Sequence, residues 1–158
     1  MQISEPVTTI TDYLLGAAGS YFAVLLFRII GPRNRVSGRL WSIGFMVGAF
    51  AAFAGGTYHG FALQLGDSIR RPLWNVVIYS IGASAGFMVS RVLASSVRRN
   101  VESARWLIIG VLVTLAGFVV QQSGIQPLPK FNHNDIYHVM QTGALFLFFK
   151  GARLLEDR

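Results

Sequence analysis

Five long apolar stretches follow one another along the chain, separated by short segments rich in arginine, glycine or proline. Each is about 20 residues long, which is enough for an α-helix to cross the hydrocarbon core of a membrane. They cover approximately residues 8–30, 40–66, 72–95, 106–125 and 132–154. Because the connecting segments are short, neighbouring helices are expected to pack in antiparallel order. The pattern predicts an all-α fold: one integral membrane bundle of five transmembrane helices, without a second domain.

The composition supports lipid as the solvent of this chain. Hydrophobic residues make up 53% and charged residues only 13%, whereas a soluble domain carries about 25% charged residues. The chain contains no cysteine, so disulfides, thiolate metal sites and iron–sulfur clusters are excluded. The first ten residues contain no lysine or arginine, so we expect no cleaved signal peptide.

The basic residues indicate orientation rather than nucleic-acid binding. The net charge is +7, but alternating the five spans puts most of the positive charge on one side. That side holds Arg28, Arg33, Arg35, Arg39, Arg91, Arg98, Arg99, Arg105, Lys150, Arg153 and Arg158. Only Arg70, Arg71 and Lys130 fall on the other side. By the positive-inside rule the N-terminus is predicted outside and the C-terminus in the cytoplasm.

Histidine and aspartate residues are predicted to meet in the outer third of the membrane. At a rise of about 1.5 Å per residue, His59 in "GGTYHG" and His138 in "HNDIYH" both lie roughly 10 Å deep. Asp12 lies about one turn into the first span, and His133 and Asp135 begin the last one. Ionisable groups inside a membrane are costly and usually face the bundle interior, so this convergence is a candidate functional site.

Some of these residues could have purely structural roles. Asp12 could form a capping box with Thr9, and Asp135 could form one with Asn132. His133 could lie in a wet interfacial loop, and glutamines near the site could hydrogen-bond between helices. The spacings Gly44-x-x-x-Gly48 and Gly82-x-x-x-Gly86 are typical of helix packing. His59 and His138 are harder to assign to such roles, because lipid offers no partner for either ring nitrogen.

The first functional hypothesis is a zinc site. Catalytic zinc takes three protein ligands from histidine and carboxylate side chains and keeps one position for water. His59 and His138 could ligate zinc together with Asp12, Asp135 or His133, and a remaining carboxylate, Asp12 or Asp135, could act as the catalytic base. A site at this depth could reach an amide or ester bond of a membrane lipid.

Two of these motifs resemble a family of seven-span membrane proteins, the alkaline ceramidases and the progestin and adipoQ receptors. His59 in "GGTYHG" looks like the family's zinc ligand on an early span, and His138 in "HNDIYH" looks like a ligand on the last span. The chain departs from the family in having five spans and a last-span pair, His133 and His138, that is spaced i,i+5. Asp12 would have to replace the family's aspartate. The resemblance implies a zinc-containing membrane hydrolase.

Other functions agree with the same residues. His59 and His138 could be axial ligands of a b-type haem, with Gly55, Gly56 and Gly60 opening a slot for it. The chain could instead be a non-enzymatic accessory subunit of a larger membrane complex, or form a homo-oligomer, with polar residues that only join helices. A proton or ion path is less favoured, because the inner half lacks polar residues. The chain is also similar to small uncharacterised five-span bacterial proteins, which would place it in a bacterial inner membrane.

Overall fold

The computed structural model describes residues 3–94, 100–129 and 131–157, with the backbone alone at 91–94. These residues form five α-helices, which confirms the all-α prediction. The helices are α1 (Pro6–Arg28), α2 (Arg35–Gly60), α3 (Asp67–Ala94), α4 (Val101–Ser123) and α5 (His133–Ala152). Outside them, Leu128 and Phe131 form a single β-bridge.

Four helices begin earlier in the chain than the apolar pattern predicts: α1 by two residues, and α2, α3 and α4 by five residues each. α2 begins at Arg35 rather than at residue 40, and α3 begins at Asp67 rather than at residue 72. Pro72, which was expected to open the third helix, lies inside it. The apolar pattern marks the stretch that can lie in lipid, whereas the helical backbone continues through polar residues at its ends. The predicted end of the third span, at residue 95, lies outside the described residues.

The helices lie in the spatial order α3, α2, α1, α5, α4. α1 packs against α2 on one side and against α5 on the other, and α2 and α5 touch only slightly. Within the described part of the chain, α3 contacts only α2, and α4 contacts only α5. Consecutive helices are antiparallel, as expected, but the row of helices leaves α3 and α4 open on their outer faces.

Apolar side chains fill the centre of this row. Leu26, Trp41, Phe45 and Leu155 are almost completely buried there, and partly buried aromatic residues pack around them. Close packing of this kind excludes lipid and fixes the positions of α1, α2 and α5 relative to one another.

Large apolar side chains also cover the outer faces of the helices. Leu14, Phe27 and Phe50 are each more than half exposed, which suits contact with lipid and would be unfavourable in water. Four helical segments are long and apolar enough to cross a membrane: α1, α2, residues 67–90 of α3, and α4. α5 has 20 residues and is not among these four, so the fifth span remains a prediction.

The alternation of the helices gives the molecule two chemically different ends. The histidine end comprises the beginnings of α1, α3 and α5 and the ends of α2 and α4. The arginine end is the opposite one. Its described basic residues are Arg28, Arg33, Arg35, Arg39, Arg105, Lys150 and Arg153. Arg98, Arg99, Lys130 and Arg158 lie outside the described residues, as does the side chain of Arg91.

Candidate functional site at the histidine end

A buried contact between α1 and α5 forms the centre of the site. Asp12 Oδ1 lies 3.2 Å from His138 Nε2, and Thr11 Oγ1 lies 3.0 Å from His138 Nδ1. Only 5% of Asp12 and 7% of His138 is exposed. Thr11 and Asp12, two consecutive residues of α1, therefore contact the two ring nitrogens of His138.

The number of protons on Thr11 and His138 restricts which hydrogen bonds these residues and Asp12 can form. Thr11 Oγ1 also lies 3.0 Å from the Thr8 carbonyl, and the hydroxyl has a single proton to donate. If that proton goes to the Thr8 carbonyl, His138 Nδ1 must be the donor to Thr11. A neutral His138 then presents a lone pair at Nε2 to Asp12 Oδ1, so a shared proton or a cation is needed between them. If the hydroxyl donates to Nδ1, the Nε2 proton itself is directed at Asp12.

Glycine residues of α2 bring that helix close to this pair. A Cβ placed on Gly55 would lie 3.4 Å from Asp12 Oδ2, and one on Gly56 would lie only 2.6 Å from Tyr13 Cδ1. A Cβ on Gly60 would lie 2.9 Å from Thr9 Oγ1. These glycines therefore allow α1 to pack directly on the backbone of α2. The space that the sequence suggested for a haem is occupied by α1.

Asp12 does not cap a helix. The capping box with Thr9, which the sequence left open as an alternative, is excluded because α1 already begins at Pro6. Thr9 instead donates its hydroxyl proton to the backbone carbonyl of Glu5, at 2.7 Å. Asp12 thus lies beyond the first turn of the helix, where its carboxylate is free to face His138.

Asp135 has the structural role that the sequence offered as an alternative. Its Oδ2 accepts a hydrogen bond from the backbone N–H of Asn132 at 2.7 Å, and with Asn132 it forms a capping box at the start of α5. Asp135 is fully buried. Its Oδ1 is buried without a hydrogen-bond partner among the described residues.

His59 forms a second polar pair beside the first. Its Nδ1 lies 3.3 Å from Glu5 Oε2, and its ring meets those of Tyr58 and Trp74 edge-on. Glu5 was not among the residues expected from the sequence, because it precedes the first apolar run. The only signal was its position next to Pro6, a residue that commonly opens a helix.

The predicted metal ligands are neighbours that do not converge on one point. Asp135 lies three residues before His138 on α5 and caps that helix, whereas His59 lies at the end of α2 and pairs with Glu5. His133 begins α5, and its Nδ1 is buried without a partner within the described chain. Across the described residues, no three histidine or acidic side chains form a group that could hold a metal ion.

Polar residues of α4 contact α5 farther from this pair. Gln121 Nε2 lies 3.4 Å from Asn134 Oδ1, and Thr114 Oγ1 lies 3.3 Å from Gln141 Oε1. These long hydrogen bonds join the two helices, as expected from the sequence for glutamines, and they involve neither Asp12 nor His138.

The fold and the site together define a class: an all-helical protein with several helices apolar enough to cross a membrane and a buried aspartate–histidine pair between them. The chain belongs to a family of unknown function, DUF6962, whose sequence model matches residues 7–103 and 93–157. No curated protein and no solved structure shows significant similarity to the chain.

Proposed function

We propose that the chain is an integral membrane protein in which Asp12 and His138 form the core of a zinc-dependent, hydrolase-like site. The observation that carries this proposal is the buried contact of 3.2 Å between Asp12 Oδ1 and His138 Nε2. Two ligands of tetrahedral zinc, with bonds of about 2.0–2.1 Å, stand about 3.3 Å apart. The spacing of the pair therefore suits two ligands of one ion as well as a hydrogen bond.

The surroundings of the pair support the same proposal. Asp12 Oδ2 and Asp135 Oδ1 are buried without a hydrogen-bond partner in the described residues, and a cation would satisfy such oxygens. Thr11 holds the far nitrogen of His138, as a metal-ligating histidine requires of its neighbours. A third ligand would come from Asp135, His59 or His133 after a side-chain rotation.

The proposed reaction is hydrolysis of an amide or ester bond in a lipid. Zinc, when bound, would supply a nucleophilic hydroxide at neutral pH. The carboxylate that does not ligate it, Asp135 or Asp12, would accept the proton that the attacking water loses and would return it to the leaving alcohol or amine. The close packing of α1 on Gly55 and Gly56 would keep bulk water away from the pair.

The metal content of the purified protein tests this proposal directly. Wild type, His138→Ala and Asp12→Ala would be purified in detergent, stripped with a chelator, reloaded with zinc and measured by mass spectrometry. We expect nearly one zinc per chain in wild type and a loss of zinc in both variants. Gln141→Leu, which changes a polar contact elsewhere on α5, is the matched control and should keep the metal. Wild type that binds no zinc would reject the proposal.

A second candidate, an accessory subunit or homo-oligomer, is favoured by the outer face of α3. A Cβ placed on Gly82 or Gly86 would meet nothing within 4 Å, whereas one on Gly44 or Gly48 meets α3. Small residues in this spacing are typical of contacts between membrane helices. Chemical crosslinking in native membranes tests it: Gly86→Leu should abolish a crosslinked product, and Val119→Leu, at an exposed position of α4, should not.

We also propose that the histidine end faces the outside, on the basis of the arginine distribution. The absence of cysteine from the chain allows a direct test with single cysteines. Ser68→Cys, at the start of α3, should react with a membrane-impermeant maleimide in intact cells. Pro32→Cys, in the loop between α1 and α2, should react only after lysis. The reverse pattern would invert the proposed orientation.

A further inference from the structure

An open cavity lies beside His59 at the histidine end, outside the aspartate–histidine pair. It has a volume of about 240 Å³ and is lined by Tyr58 from the end of α2 and by Arg70, Arg71, Trp74 and Asn75 from the start of α3. The rings of Tyr58 and Trp74 lie 4.9 Å apart at an angle of 40°. Two guanidinium groups and two aromatic rings therefore line the same small space.

The positive charge of this cavity is available to a ligand. Arg70 lies 3.9 Å from Asp67, whose side chain is 79% exposed, and such an exposed pair holds an arginine only weakly. Within the described part of the chain, no ion pair involves Arg71. Glu5, a nearby carboxylate, is paired with His59. Arg70 and Arg71 are also the only described arginine or lysine residues at this end, so their placement in one cavity is not part of a general basic surface.

The chemistry of the cavity selects an anion with several oxygens. Guanidinium groups bind phosphate in a forked geometry with two parallel hydrogen bonds. The amide of Asn75 adds a donor and an acceptor at the same wall. The volume suits a lipid headgroup, and tryptophan and tyrosine are the residues that proteins place at headgroup level.

We propose that this cavity binds the headgroup phosphate of an anionic phospholipid in the leaflet at the histidine end. The lipid would lie with its glycerol and ester region next to His59, whose ring contacts both aromatic walls. If the zinc site of the proposed function hydrolyses a lipid, binding in this cavity makes an anionic phospholipid its substrate. That last step rests on the proposed function, whereas headgroup binding itself requires only the membrane location.

Short-chain lipids test the proposal on the full-length protein in detergent. Dihexanoyl phosphatidylglycerol, dihexanoyl phosphatidylcholine and inorganic phosphate would be titrated separately, with thermal unfolding as the readout. We expect phosphatidylglycerol to raise Tm in a saturable manner and the other two to have little effect. Arg70→Gln with Arg71→Gln should weaken this binding by about tenfold or more, since each arginine contributes charge-assisted hydrogen bonds.

Control variants separate headgroup binding in this cavity from a general effect of positive charge and from the zinc site. Arg33→Gln with Arg153→Gln removes the same charge from a cleft at the arginine end, and this variant should keep the wild-type response. Asp12→Asn should also keep it, so that a failed zinc site and a failed headgroup site give different results. Circular dichroism of the Arg70→Gln, Arg71→Gln variant verifies its helical content.

Three results would overturn the proposal. The first is an equal response of wild type and the Arg70→Gln, Arg71→Gln variant. The second is the absence of any preference for phosphatidylglycerol over phosphatidylcholine. The third is a response to inorganic phosphate alone that equals the response to the lipid, which would make the cavity a site for free phosphate.

Discussion

The two ends of the molecule use buried polar groups in different ways. At the arginine end, Asp157 accepts hydrogen bonds from the backbone N–H groups of Val36 and Ser37, at 2.6 and 2.9 Å. The hydroxyl of Ser37 donates to the same carboxylate at 2.6 Å. The C-terminal tail thus supplies a cap for α2, whose own N-cap residue, Asn34, makes no side-chain capping bond.

The same end joins the start of α4 to the end of α5 and to the C-terminal tail. Ser103 Oγ donates to the Gly151 carbonyl at 2.8 Å, and Asn100 Nδ2 donates to the Leu154 carbonyl at 3.0 Å. These side chains donate hydrogen bonds to backbone carbonyls at the end of the chain's last helix, where such groups lack partners within the helix. These contacts at the arginine end are satisfied hydrogen bonds, which stabilise one arrangement of the helices.

The histidine end leaves ionisable groups incompletely satisfied. Asp12 Oδ2, Asp135 Oδ1 and His133 Nδ1 are buried without a partner in the described residues. The other two such atoms, on Trp41 and Ser42, belong to neutral groups in α2. Unsatisfied buried ionisable groups cost stability, so their concentration at one end suggests selection for binding or chemistry rather than for stability. Substitutions at the two ends should therefore have different effects on stability and on binding.

The largest effect is expected from breaking the buried pair. Asp12→Ala should lower the free energy of unfolding by about 3 kcal/mol, because it leaves His138 buried without its partner. Replacing both residues, as Asp12→Leu with His138→Phe, should recover most of the loss, since neither polar group then remains. Unfolding by a denaturing detergent, followed by circular dichroism, measures both. A double variant less stable than Asp12→Ala would show that the pair stabilises the fold, as the polar groups of the arginine end do.

The next effect concerns the close approach of α1 and α2 at the histidine end. Gly56→Ala should cost about 2 kcal/mol, because its Cβ would lie 2.6 Å from Tyr13 Cδ1 and the helices must separate. The matched control is Gly82→Ala, whose Cβ would meet nothing within 4 Å and should cost nothing. The same unfolding assay compares the two variants. Equal losses would mean that Gly56 acts through its backbone flexibility and not through helix packing.

The third prediction tests the arginine end. Asp157→Ala should cost about 1.5 kcal/mol, because it removes the cap of α2, and it should leave zinc and lipid binding unchanged. Asp67→Ala, which removes an exposed carboxylate at the other end, is the control and should have almost no effect on unfolding. A loss of zinc binding in Asp157→Ala would show that the two ends are coupled and do not act separately.

The sequence alone predicts much of this architecture. Lipid imposes a minimum length on apolar helices, so the five apolar runs correspond to the five helices. Helix rise also predicts that Asp12 and His138 lie at one depth, and the structure brings these two into contact. The order of the helices in space could not be predicted, because apolar periodicity does not specify which other helix each helix packs against.

The partners within the site were less predictable. The pair of His59 with Glu5 depends on the exact residue at which α1 begins, and helix ends are poorly defined by apolar patterns. The same uncertainty left the capping box of Asp12 with Thr9 open as an alternative, until the start of α1 at Pro6 excluded it. The cap of α2 by Asp157 joins residues far apart in sequence, and no local signal connects them.

The smallest expected effect comes from a polar contact that belongs to neither end. Gln141 and Thr114 join α5 to α4 through a bond of 3.3 Å, and such contacts between membrane helices contribute about 0.6 kcal/mol each. Gln141→Leu keeps the side-chain volume, so we expect a loss of stability of that size and no change in zinc content. A loss of several kcal/mol would instead mean that polar contacts dominate the stability of the whole α4–α5 interface. The contrast between the ends would then reflect a polar seam along α5 and not a site at the histidine end.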